Sequence, residues 1–239
     1  MKAMILAAGR GERLQPLTAS TPKALVEAGG KPLIGWHLER LAAGGLREVV
    51  INVSHLAERI VDALGDGARY GLSIAYSREP EPLETAGGIA NALKLLGPEP
   101  FLLVNGDVYC EFNLEKLFGK DLKPSLAHLV LIPNPPHHPN GDFTLEGGVV
   151  GNQPAPRYTY SGIAVMSPAL VAGVTAGEKA PLAPLLRAAA ERRRITGELY
   201  AGLWQDVGTA ERLAGLRAHL ESDRSSSHSS SHSSRHEDR

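Results

Sequence analysis

Ala3-Met4-Ile5-Leu6-Ala7-Ala8-Gly9-Arg10-Gly11-Glu12-Arg13-Leu14 runs from an apolar stretch straight into a loop of small residues. Ala3 to Leu6 reads as a buried strand. Two glycines then let the backbone turn sharply and present its N–H groups to an anion. Arg13 and the Lys of Pro22-Lys23 add two cations on the same side of that loop, where a polyphosphate concentrates negative charge. A lone G-x-G is explained as well by a strand-to-helix turn with solvated basic residues. The joint spacing of the glycines, the Arg and the Pro-Lys is what points to a phosphate site. The chain has no Walker loop, and a dinucleotide fingerprint would need a third glycine where Leu14 stands.

Outward from this loop, strands and helices alternate. The pattern predicts strands over 2–7, 48–53, 72–76 and 101–105, with helices over 33–43, 56–64 and 86–96 between them. Val/Ile/Leu-rich strands in βαβα order imply a mostly parallel sheet with helices on both faces, a Rossmann-like α/β core. The second half breaks the rhythm. Strands are expected over 126–133 and 158–166, a helix over 181–194, an extended segment over 199–204 and a last helix over 209–220. This half reads as a smaller lobe on the same sheet, so residues 1–221 form one domain with halves 1–110 and 111–221. From Ser222 the chain turns serine-rich, with His228, His232 and His236. The composition predicts disorder over 222–239, as a flexible tail or an appended tag, and disfavours a metal site there.

The 239 residues fit one α/β domain, and 43% hydrophobic content supplies a core. A net charge of −1 gives no basic excess, which argues against a nucleic-acid or anionic-membrane partner. Cys110 is the single cysteine, so a reducing compartment is the default. No apolar run has membrane-spanning length, and Met1-Lys2 leads directly into the first strand, which predicts no signal peptide and a cytoplasmic location.

Asn105-Gly106-Asp107 stands at the carboxyl end of an expected strand, where open α/β sheets place their ligands. Taken alone, Asp107 reads equally as a turn cap or a metal ligand. Trp204-Gln205-Asp206-Val207-Gly208-Thr209 supplies a second Asp at the end of an extended segment, with a Gly and an N-cap-type Thr behind it. Two carboxylates from separate elements near a triphosphate loop suit Mg²⁺, which takes one or two protein carboxylates together with phosphate oxygens and water. Asp107 and Asp206 are therefore the expected metal ligands. Glu84-Thr85-Ala86-Gly87-Gly88 opens a helix with Thr85 as a plausible N-cap, and Asn140-Gly141-Asp142-Phe143 is a turn. His137-His138 between prolines read as solvated and stay outside the expected site.

The string L-A-A-G-x-G-x-R…P-K resembles the opening motif of the sugar-1-phosphate nucleotidyltransferases, a family with a GT-A-like fold. The resemblance implies that Ala8, Gly9, Gly11 and Glu12 belong to a loop wrapping the triphosphate. It implies that Arg13 holds the departing pyrophosphate, Lys23 contacts the reacting phosphate, and Asp107 and Asp206 bind the metal. Thr85 and Gly87 match a segment lining the base and ribose pocket. Glu79 stands where many relatives carry a base-reading Gln, and as a carboxylate it accepts the uracil N3–H but has no donor for O4. Asp142 resembles the Asp of a G-D-F segment that takes sugar hydroxyls in the N-acetylmuramate-1-phosphate uridylyltransferase group, with Asn105, Ser161 and Gly162 beside the sugar. The Glu-Lys-type pair of glucose and N-acetylglucosamine enzymes is missing. The expected activity is transfer of UMP from UTP to N-acetylmuramic acid α-1-phosphate in peptidoglycan recycling. The rivals are another sugar 1-phosphate (glucose, mannose or N-acetylglucosamine) and a non-catalytic nucleotide-sugar-binding regulator. A regulator should have lost one of Arg13, Lys23, Asp107 or Asp206, and all four are present.

Overall fold

The computed structural model describes residues 1–154 and 156–230, the last seven as backbone only. In chain order the first half holds β1 (Ala3–Leu6), β2 (Glu27–Ala28), β3 (Lys31–Pro32), α1 (Leu33–Ala43), β4 (Glu48–Val53), α2 (Ala57–Leu64), β5 (Ser73–Arg78), α3 (Glu84–Leu96), β6 (Phe101–Asn105) and β7 (Val108–Cys110). The second half holds β8 (Ala127–Ile132), β9 (Thr144–Glu146), β10 (Val149–Gly151), β11 (Thr159–Met166), α4 (Leu182–Glu191), β12 (Ile195–Leu199), β13 (Trp204–Asp206) and α5 (Ala210–Ser230).

One nine-stranded sheet runs β5-β4-β1-β6-β11-β8-β12-β10-β9. β5, β4, β1 and β6 are mutually parallel. The chain moves outward from β1 to β4 and β5, then returns across β1 to β6. That reversal opens a crevice at the carboxyl ends of β1 and β6, where Leu6 and Asn105 are paired residues. β11 lies antiparallel to both β6 and β8, while β12 runs parallel to β8. The fold is the mostly parallel mixed α/β sheet that the alternating pattern predicts.

Period-two alternation sends each strand's apolar residues to two separate cores. Ala3, Ile5, Leu102 and Val104 face α1 and α2 through Ile34, Leu38, Ile60 and Leu64. Met4, Phe101 and Leu103 face α3 and α4 through Ile89, Leu96 and Leu186. A third cluster joins Leu14, Val26 and Leu33 to Tyr109 on β7, to Val207 and to Leu213 and Leu216 on α5. This small core seats the last helix against the loop that follows β1.

Three segments differ from the sequence reading. The predicted helix over 181–194 ends at Glu191, and Ile195–Leu199 is a strand. Its Ile-Thr-Gly-Glu-Leu pattern is too polar to announce itself, and pairing to β8 and β10 makes it a strand. β7 was not foreseen at all, and it forms a two-stranded ladder with β13. The last helix, expected to stop at Leu220, continues to Ser230, so residues 222–230 are helical where disorder was expected. His232 and His236 lie outside the described residues. No helix among the described residues is long and apolar enough to cross a membrane.

Candidate active site

The crevice is built by close approach of two strand ends. Gly106 N donates to Leu6 O at 2.9 Å, and a Cβ at this glycine would stand 2.6 Å from that oxygen. Only glycine lets β6 turn there, and the next residue is Asp107. On the β1 side, Ala7 N donates to Asn52 Oδ1 at 2.8 Å. Gly11 adopts φ 67, and its carbonyl accepts Leu14 N and the hydroxyl of buried Thr18, each at 2.8 Å. The loop is thereby folded back so that a turn starting at Lys23 returns to the crevice. Lys23 Nζ donates to Asp107 Oδ2, with only 13% of the Lys side chain exposed.

Ala8, Gly9, Lys23, Glu79, Thr85, Asn105 and Asp107 lie on the wall of one cleft. Gly9, Gly11, Glu12, Arg13, Lys23, Asp107 and Lys179 line the cleft beside it. The structure therefore brings the whole expected polyphosphate loop and the first aspartate to one place.

Asp206 arrives from the other end of the chain through the β7/β13 ladder. Asp206 pairs with Val108 in register, and Val207 N donates to Asp107 O at 2.8 Å. Asp206 Oδ2 lies 3.1 Å from Arg212 Nη1, and Oδ1 lies 3.2 Å from His137 Nε2. Neither partner belongs to the expected site. His137 was set aside as a solvated loop residue, yet the 134–142 loop carries it across to Asp206. No local signal marks that crossing. Arg212 had one: it follows Thr209 by three residues, and its backbone N bonds Thr209 Oγ1 at 3.3 Å in the first turn of α5.

The structure gives the contacts of the expected base- and sugar-side residues. Glu79 is 5% exposed, and both its oxygens are engaged, by Asn52 Nδ2 at 2.7 Å and by Leu83 N at 3.0 Å. Burial raises its carboxyl above the ordinary value while these two hydrogen bonds pull the other way. Glu79 thus braces the cleft, joined through Asn52 to Ala7. Thr85 lies inside the first turn of α3, which begins at Glu84, and is not its N-cap. Gly87 is buried away from the cleft, where a Cβ would collide with Glu178 O; Ala86 N and Gly87 N both bond Ala180 O.

Asn105 does meet Gly162, whose φ of +82 and missing side chain leave room for the Asn105 amide. Ser161 Oγ donates to Val130 O at 2.7 Å and accepts Ile163 N, so only its backbone is available, and Trp204 Nε1 already donates to Ser161 O. Asp142 accepts Tyr160 N at 2.8 Å, with His138 Nε2 at 3.0 Å from its other oxygen. Asp142, Ser161 and Gly162 line neither cleft described above. Cys110 is buried, and that burial pushes its thiol up to about 11, which leaves it inert.

A switch-point crevice, a glycine loop flanked by Arg13 and Lys23, and two aspartates linked by backbone pairing suit a phosphate-handling α/β protein. A family model described as nucleotidyl transferase matches residues 2–151. The N-acetylmuramate alpha-1-phosphate uridylyltransferase of Neisseria meningitidis is 50% identical over 91% of this chain and 97% of its own length. The mannose-1-phosphate guanylyltransferase catalytic subunit beta of Drosophila pseudoobscura pseudoobscura is 31% identical over 93% of this chain, which spans 63% of that protein. A solved structure from Bacillus anthracis, assigned as a glucose-1-phosphate thymidylyltransferase, superposes with a TM-score of 0.82 at 20% identity, covering 92% of this chain and 95% of that one, and so shares the fold. The chain belongs to the nucleotidyltransferase family, among relatives named for sugar 1-phosphates.

Proposed function

We propose that the protein transfers UMP from UTP to N-acetylmuramic acid α-1-phosphate, releasing pyrophosphate and forming UDP-N-acetylmuramic acid for peptidoglycan recycling. The observation that carries this reading is the 50% identity, end to end, to an enzyme of that name. The site supports it, because Arg13, Lys23 and Asp107 line two adjoining clefts and Asp206 shares the cleft along α5 with Arg13.

A phosphate oxygen of the sugar 1-phosphate attacks the α-phosphorus of UTP, and the bond from that phosphorus to the β-bridging oxygen breaks. The nucleophile is already an anion, so no general base is needed, and in-line positioning and charge neutralisation do the catalysis. Lys23 neutralises charge at the reacting phosphate, and Arg13 takes the charge that accumulates on pyrophosphate. Loop amides from Ala8 to Gly11 hold the triphosphate, and the cleft walled by Asn105 receives the sugar. Asp107 and Asp206 offer oxygen donors only, on adjacent turns, which fits Mg²⁺ better than a softer metal. Bound there, Mg²⁺ would neutralise and orient phosphate oxygens. What supports the fit is Asp206 Oδ1, buried with no hydrogen-bond partner among the described residues, while Lys23 meets the Asp107 carboxylate and Arg212 the other Asp206 oxygen.

Pyrophosphate release over four nucleotides and a panel of sugar 1-phosphates tests the proposal. UTP with N-acetylmuramate 1-phosphate should exceed UTP with N-acetylglucosamine 1-phosphate by at least roughly tenfold in kcat/KM, because a site that pairs the lactyl carboxylate leaves polar groups unpaired without it. Chelation should stop turnover and Mg²⁺ should restore it. Preference for GTP and mannose 1-phosphate would move the protein to the guanylyltransferase side of its family.

A further inference from the structure

Arg13 and Arg212 converge on the space beside one glycine. A Cβ on Gly208 would collide with Arg212 Nη2 and would stand 3.2 Å from Arg13 Nη2. Two guanidiniums therefore converge across the Asp206-Val207-Gly208-Thr209 turn. Arg13 opens on both adjoining clefts, the polyphosphate one with Gly208 and the one along α5 with Arg212 and Asp206. Like charges held this close are unfavourable without an anion between them, and the protein supplies little. Arg212 has Asp206 on Nη1, at 3.1 Å, while its Nε is buried with no hydrogen-bond partner. Its side chain is 16% exposed, and Asp206 also serves His137. Arg13 makes no ion pair among the described residues and is exposed to the cleft. The pair is short of negative charge and has a buried donor unused.

We infer that Arg212 is a second guanidinium of the leaving-group subsite, forming with Arg13 a clamp on pyrophosphate. The inference rests on the nucleotidyl-transfer reading above. Guanidiniums bind phosphate oxygens through paired N–H donors, and two of them converging beside Gly208 present donors to one pyrophosphate. Asp206 holds Arg212 in place before the anion arrives. Gly208 is the residue that allows both approaches, since any side chain there would occupy the Arg212 position. His137, 3.2 Å from Asp206, lies on the 134–142 loop and lines the α5 cleft together with Arg13 and Arg212.

Pyrophosphate binding measured by titration calorimetry tests the inference, with and without Mg²⁺, on the wild type, Arg13→Ala, Arg212→Gln and Arg212→Lys. Arg212→Gln should weaken pyrophosphate at least about tenfold in both conditions, and pyrophosphate product inhibition should weaken in parallel. Arg212→Lys should recover part of the loss, since a point charge replaces a fork. Mn²⁺ binding, read by electron paramagnetic resonance, should stay within about twofold of wild type. Circular dichroism reports folding, and if Arg212→Gln does not fold, Arg212→Lys carries the test with a loss of about threefold. An unchanged pyrophosphate affinity in the folded variants would overturn the clamp. So would a loss that occurs only with metal and follows a loss of Mn²⁺ binding, because Arg212 would then act through Asp206 alone. The parent reading fails separately, and takes the clamp with it, if the wild type releases no pyrophosphate from any nucleotide and sugar 1-phosphate pair.

Discussion

The β1/β6 side of the crevice and the β11/β13 side hold their ligand-facing groups in different ways. On the first side the backbone does most of the work. Strand ends meet at Gly106, the loop folds on Gly11 O, and a buried polar network, Ala7-Asn52-Glu79-Leu83, ties the cleft wall together. On the second side, side chains from distant positions meet. His137, Asp206 and Arg212 come from a Pro-rich loop, a short strand and a helix, and Asp206 stands between the other two. A backbone site is rigid and tolerant of the side chains around it, whereas a side-chain site fails when one partner is removed, because the rest are left as uncompensated charges.

The comparison predicts that the largest effects come where the two sides join. Asp107→Asn and Asp206→Asn should each lower turnover by on the order of 10²-fold or more with the fold intact by circular dichroism, since each removes charge from the proposed metal position and not from a core. Near-normal rates in Mg²⁺ for both would remove the joint. Arg13→Ala, on the backbone side, should lower kcat by about 30-fold while KM for UTP stays within about threefold, because charge builds on pyrophosphate in the transition state. An effect confined to UTP affinity would make Arg13 a ground-state contact.

The backbone side also carries a hidden acid sensitivity. His37 on α1 is 1% exposed, and burial, then the neighbouring Arg40 charge, push its pKa down from 6.5 to about 4. The unfolded chain takes up this proton more readily than the folded one. Stability is therefore complete above pH 6.5 and falls as pH drops from 6.5 towards 4. Urea unfolding at pH 7 and pH 5 should differ by about 2 kcal/mol more in the wild type than in His37→Leu. Equal slopes would show that His37 is not the sensor.

The smallest expected effect separates the two sides by substrate. Asp142 ties the 134–142 loop to Tyr160 N and His138. Asp142→Ala should lower kcat/KM for the sugar 1-phosphate by roughly tenfold, the scale of one lost polar contact and its loop, with KM for UTP unchanged. A matching loss in UTP would mean that the loop serves both substrates.

Sequence alone determined the parallel core, and it singled out the glycine loop and both aspartates as the expected site. These features depend on local rules: period-two apolar runs, glycines where the chain must turn or approach closely, and charges at short spacing from them. Arg13, Lys23, Asp107 and Asp206 were legible for that reason. Glu79, Thr85, Gly87, Ser161 and Asp142 were singled out by motif, and only the fold reveals what they touch. Glu79 braces Asn52, Gly87 admits the 178–180 segment, and Ser161 Oγ closes on Val130 O. Tertiary structure likewise decided β7 and β12, which are strands because partners pair with them. It also decided the meeting of His137 and Arg212 on Asp206. Contacts spanning 69 positions from His137 to Asp206 leave no periodicity in a chain, because nothing between them constrains either end until the sheet and α5 are in place.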